Sequence, residues 1–202
     1  MNASTTVNRG SQIPEPNITR FLFADRRMSP VWLVVRVYLG YLWLMAGIGK
    51  VMEGGWIGEG AGGAVKGFAQ GAMAQTGGEH PQVTQWYASF LENVVVPNAG
   101  VFSYLVVFGE IAVGLGLIFG LFTGIAAFFG GFMNASFIFA GTAGANPLMF
   151  ILAILLMMGW RVAGYWGLDR FALPAIGVPG SRGTAFDRRR VGGIHQQPSR
   201  VE

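Results

Sequence analysis

FGEIAVGLGLIFGLFTGIAAFFGGFMN, residues 108–134, decides the fold. Glu110 is its one ionisable side chain, and the run is too long and too apolar to be a single core helix of a soluble domain. Extended in both directions it resolves into two successive spans, 100–122 and 123–141. Each has about 20 residues, or roughly 30 Å of helix, enough to cross the hydrocarbon layer. The joint between them, GLFTG at 120–124, leaves almost no connecting chain, so the two spans form a tight antiparallel hairpin. Gly109, Gly116, Gly120 and Gly124 mark a small-residue face along the first of these helices, and Gly130 with Gly131 another on the second; both suit close helix approach.

Working outward, residues 32–52 and 147–166 give two further spans. Asn146 followed by Pro147 suits a helix start, and Tyr165 with Trp166 suits a membrane interface at the far end. The composition agrees with a membrane protein, with 52% hydrophobic and only 12% charged residues and a mean hydropathy of +0.46. The expected fold is therefore all-α: an integral membrane four-helix bundle over residues 31–174. A cytoplasmic tail over 1–30 precedes it, and a disordered basic tail over 175–202, carrying Arg188, Arg189 and Arg190, follows. No short apolar core with a small-residue cleavage site is evident near the start, so the first span is expected to stay in the mature protein.

The loop 53–99 is too long to be structureless. Val83, Trp86, Tyr87, Phe90, Leu91 and Val94 follow helical spacing after Pro81, and Ala61, Val65, Phe68, Ala72 and Met73 form a weaker stripe. Both are expected to be amphipathic helices forming an outer lid. Ten of the 14 Lys and Arg residues lie in the two end stretches Arg9 to Arg27 and Arg170 to Arg200. The loop carries Lys66 against Glu53, Glu59, Glu79 and Glu92, so the charge bias puts both termini in the cytoplasm of a multi-pass protein of the cell membrane. GEGAGGAVKG at 58–67 is no phosphate loop, because Gly67 stands where Ser or Thr is needed and no strand precedes it.

Cysteine is absent, which excludes thiolate nucleophiles and cysteine-held clusters, and the two histidines, His80 and His195, lie in separate regions outside the spans; no metal is expected. Chemistry is sought instead in polar groups at membrane depth, where a charge costs at least ~2.5–3.5 kcal/mol on insertion scales. Counting helical rise puts Arg36 ~6 Å inside the inner face, Glu110 ~15 Å from the outer face and Asn134 ~16 Å from the inner one, with Arg161 in the same inner half as Arg36. The expected site is Glu110 between Arg36 and Arg161. Glu110 and Arg36 are the catalytic candidates, and Arg161, Asn134, Lys50 and Tyr41 line a substrate or quinone pocket along with Tyr38, Trp43 and Phe108. Against this stand readings in which Arg36 and Glu110 are an ion pair fixing helix register, Arg161 snorkels to the surface, Asn134 makes an interhelical hydrogen bond and Lys50 is an interfacial anchor.

RVYLGYLWLMAGIGKV at 36–51, the hairpin quoted above and NPLMFILAILLMMGWRVAGYWGLDRFALP at 146–174 together resemble the DoxX family of small four-helix membrane proteins. The long first loop and AGYWGLDR resemble its DoxD-like branch. That resemblance implies the large subunit of a thiosulfate:quinone oxidoreductase, with a membrane quinone as co-substrate. It also admits a non-catalytic anchor that gathers a soluble redox or sulfur-transfer partner, and a small transporter stands third. Expected partners are membrane lipid, a small subunit or soluble redox protein, and a second copy of the chain; nucleic acid is not expected.

Overall fold

Helix α2, Ser29–Met52, is 24 residues long with Pro30 in its first turn, and it forms the most extensive helix–helix interface of the bundle with α5, Ala99–Phe119. Both are long and apolar enough to cross a bilayer. Glycines set their approach. A methyl on Gly114 would lie 2.6 Å from the Leu44 amide nitrogen, one on Gly40 2.9 Å from the Gly114 carbonyl oxygen, and one on Gly47 2.7 Å from Ile111 Cγ1. Backbone therefore meets backbone, the packing mode that drives helix association where no hydrophobic effect operates. The glycines expected to permit close helix approach do so on other faces: Gly109 meets Met133, Gly116 meets Ala126 and Gly124 meets Trp160.

The computed structural model describes residues 15–178, all of whose regular structure is helical; the arginine run at 188–190 lies outside the described residues. After α5 the chain reverses through Gly120 and Phe122, both left-handed at φ 63° and 50°, into α6, Thr123–Phe139. Helix α7, Asn146–Met158, packs along α6. The expected fourth span over 147–166 is not continuous: it breaks at Gly159, resumes as the short α8, Trp160–Ala163, and then turns. Gly159 is needed there because Trp32 and Phe23 press on it, with Trp32 Cε2 only 3.2 Å from where a Cβ would stand. Helix α9, Asp169–Ala175, ends the described chain.

The bundle sets a few charged and amide side chains inside an apolar core and is apolar on its outside as well. Arg36, Glu110, Asn134 and Asp169 are each at most 1% exposed, while Val34, Phe132 and Ile151 are more than half exposed. An apolar belt of this size is untenable in water and natural in lipid.

The loop after α2 folds as the expected pair of helices: α3, Gly63–Met73, and α4, Gln85–Phe90, which runs on through a wider turn over Leu91–Val95. Their buried side chains, among them Val65, Ala69, Tyr87 and Leu91, make a second core with Ala99 and Ala140. Tyr87 ties the lid to α6 by donating its hydroxyl to the Ser136 carbonyl at 2.8 Å, and burial raises its phenol above the ordinary range. The second helix starts at Gln85, not at Pro81. Residues 82 and 83 instead donate their N–H groups to the Gln75 carbonyl. Trp86, Phe90 and Val94, expected on the packed face, point outward.

The first thirty residues hold more than a polar tail. Helix α1, Asn17–Ala24, packs on α8, where Leu22 accepts the Trp32 indole N–H at 2.7 Å. The two ends of the described chain thus share one end of the bundle.

Candidate functional site

Ionisable and amide side chains inside the bundle fall into two groups at opposite ends. At the end away from the lid, α5 finishes with four carbonyls that a helix cannot satisfy itself. Arg36, reaching across from α2, donates Nη1 to Leu117 O at 2.7 Å and to Ile118 O at 3.3 Å. The N–H groups of Leu168 and Asp169 take the next two, Phe119 O at 3.0 Å and Gly120 O at 2.7 Å. The Asp169 carboxylate then accepts Phe122 N–H at 2.6 Å and Thr123 N–H at 2.9 Å, which caps α6 and holds Phe122 in a left-handed conformation costing ~1–2 kcal/mol. Gly120 is required because any side chain there would enter the space of the Arg36 guanidinium. This is a clamp on the hairpin, with each charged group spent on backbone polarity that hydrocarbon would leave unmet.

Toward the lid lies the second group. Lys50, in the last turn of α2, donates to both Glu110 oxygens at 2.9 Å. Its ammonium also sits 5.1 Å over the Trp56 ring, which belongs to the lid. Glu110 is 1% exposed and Lys50 19%, so the pair touches solvent only through the lysine. The indole of Trp43 is buried beside Gly130, where a Cβ would stand 2.9 Å from Nε1 and 3.1 Å from Val113 Cγ1. About one turn toward the lid along the antiparallel helices, Val113 leads to Glu110 and Gly130 leads to Asn134, shifts of ~4.5 Å and ~6 Å. Asn134 is fully buried, and its amide oxygen and nitrogen, like Trp43 Nε1, have no hydrogen-bond partner in the protein. Leaving such groups unmet costs ~1–3 kcal/mol each. Three helices thus present a salt-bridged carboxylate, an amide and an indole N–H to the same interior stretch under the lid.

This geometry corrects several expectations. Glu110 is paired with Lys50 and not with Arg36, which lies about two turns away against the end of α5. Arg161 is exposed on α8 while its neighbours Val162 and Ala163 face the core, so it does not join Glu110. Tyr41, Tyr38 and Phe108 are about half exposed on the outside of the bundle and line no interior pocket. Asp169 was missed because it follows the last predicted span, and AGYWGLDR gave no sign that its acid turns back into the bundle.

The DoxX family pattern matches residues 31–143, which takes in Arg36, Trp43, Lys50, Glu110 and Asn134 and stops before α7. No curated protein matches the chain, and no solved structure does. With more than half of its length matched, a wholly helical fold and a lipid-suited exterior, the chain belongs to the DoxX family of membrane proteins.

Proposed function

We propose that this protein is the membrane-embedded subunit of a quinone-linked oxidoreductase, and that the Trp43, Lys50, Glu110 and Asn134 group receives the quinone head group beneath the lid. The observation that carries the reading is the set of unpartnered buried groups, Trp43 Nε1 and the Asn134 amide, beside a buried carboxylate. Two N–H donors in a dry interior suit a carbonyl oxygen, and the adjoining aromatic surface suits a ring. A quinone supplies acceptance of two electrons and two protons. Within the chain, Trp43 and Asn134 orient the carbonyl, Glu110 hands over protons, and Lys50, the partly exposed member of the pair, connects Glu110 to water at the lid. The electrons come from a sulfur compound of the thiosulfate class or from a partner protein, as the DoxD-like resemblance implies. Arg36 is engaged by carbonyls and is assigned no part in holding an oxyanion. Both termini are placed in the cytoplasm, in keeping with the basic tails.

The test is quinone binding by the full chain in lipid nanodiscs, followed by turnover with its partner. Asn134→Leu and Trp43→Phe should each weaken binding by about 5- to 10-fold, the worth of one hydrogen bond of ~1 kcal/mol. Glu110→Gln should leave binding within a few fold and abolish turnover. A wild-type protein that binds no quinone, or variants that all bind alike, would leave the anchor reading in possession.

A further inference from the structure

At the end away from the lid α1 lies across the foot of the bundle, held by Phe23, whose ring is tilted against Trp32 with centroids 5.5 Å apart, and by the Trp32 bond to Leu22. On its other side Ile18 and Phe21 are exposed at i and i+3, with the Arg27 guanidinium 5.3 Å over the Phe21 ring. Trp166, Leu168, Phe171 and Ile176 are exposed at the same end. Among these apolar groups stand exposed arginines. Arg26 lies 5.3 Å over the Tyr165 ring and Arg170 4.9 Å over Phe171, while Arg20 makes no ion pair among the described residues. The acids nearby do not cancel them, since Asp25 is taken by Arg27 at 2.6 Å and Asp169 is buried against backbone N–H groups. Among the described residues at this end, that leaves Glu15 exposed and uncommitted.

We infer that α1 and the α8–α9 turn form an in-plane collar that binds anionic phospholipid, its apolar residues among the acyl chains and Arg20, Arg26 and Arg170 on the lipid phosphates. The collar sits where the lipid-facing belt of α2 and α5 ends, so its exposed apolar groups continue a surface already suited to lipid. The arginines supply the charge match that a neutral lipid does not reward. An Arg at an anionic surface is worth roughly fivefold in affinity, so three together give on the order of 100-fold.

The full chain, tails included, is purified in detergent and titrated separately with phosphatidylglycerol and phosphatidylcholine, with bound lipid counted by native mass spectrometry. Phosphatidylglycerol should bind more tightly, and R20Q/R26Q/R170Q should weaken it by 10- to 100-fold while phosphatidylcholine is unchanged. I18S/F21S should weaken both lipids. Should the triple variant fold poorly, Arg20→Gln alone still reports a loss of roughly fivefold. Equal binding of the two lipids by the wild type overturns the inference. So does phosphatidylglycerol binding that survives all three substitutions, which moves the site to the arginines of the C-terminal tail, and so does displacement of the lipid by inorganic phosphate, which makes it a soluble-anion site.

Discussion

Removing Lys50 and removing Glu110 should not cost the same, although they break the same bridge. Lys50→Met leaves a carboxylate that is 1% exposed with no counter-charge, the situation that costs ~3–5 kcal/mol when a buried pair loses one member. Glu110→Gln leaves a lysine that is already 19% exposed and carries four methylenes, so its ammonium can swing past Trp56 to the water above the lid. The penalty then falls to about 1–2 kcal/mol for the hydrogen bonds lost. The double variant Lys50→Met, Glu110→Leu leaves no charge unpaired and should return to within about 1 kcal/mol of the wild type or exceed it. Reversible unfolding in mixed detergent micelles measures all four proteins, and the two single losses, together about 4–7 kcal/mol, should exceed the loss of the double variant by about 3 kcal/mol or more. Additive single variants, or a Glu110→Gln protein less stable than Lys50→Met, would refute the argument from exposure. The double variant also separates fold from function, since it should be stable and inactive.

Gly114→Ala puts a methyl 2.6 Å from the Leu44 backbone and should cost about 1–3 kcal/mol by forcing α2 and α5 apart. Gly49→Ala, on the same helix as Leu44 with open space around it, should be neutral or stabilise by up to ~1 kcal/mol, and thermal unfolding of the two side by side checks both. Asn134→Leu removes two unmet polar atoms and should raise stability by about 1–3 kcal/mol while weakening quinone, whereas a loss of stability would mean that the amide has a structural partner. Hydrogen bonds from Arg27 bring Asp25 down to about 2. Because the folded value is depressed, its small contribution is present above the ordinary aspartate range and lost as pH falls through about 2. Carbon-detected NMR should find that midpoint, and Arg27→Gln should return it to the ordinary value.

Apolar runs and their breaks made the spans and the hairpin legible, because those patterns are written in composition and spacing. Depth along a helix placed Glu110 and Asn134 at one level, but depth says nothing of direction around the axis. Arg36 was therefore assigned to the nearest acid, when its partners are backbone carbonyls that every sequence has and none displays. Lys50 looked like an interfacial anchor until the lid brought Trp56 over it. In the lid the helical spacing was right and half of the expected stripe, Val83, Tyr87 and Leu91, is buried while Trp86, Phe90 and Val94 are exposed, since α4 is apolar on two sides and only tertiary packing chooses between them. Helix α1 escaped notice because Arg20 within it, with Arg26 and Arg27 just after, made an eight-residue stretch read as tail.

The charged contacts also impose an order on biogenesis. Lys50 meets Glu110 across 60 residues of sequence, Arg36 meets Leu117 across 81, and Asp169 reaches back 46 to Thr123. Helix α2 must therefore leave the ribosome with both its cations unmatched, and it waits through the whole synthesis of the lid for α5. The arrival of α5 commits α2 to its depth, and Asp169, the last of these partners to appear, locks the turn behind it. A chain truncated before Asp169 should consequently insert yet remain open to slippage and to quality-control proteolysis, with stability arriving late in translation rather than span by span.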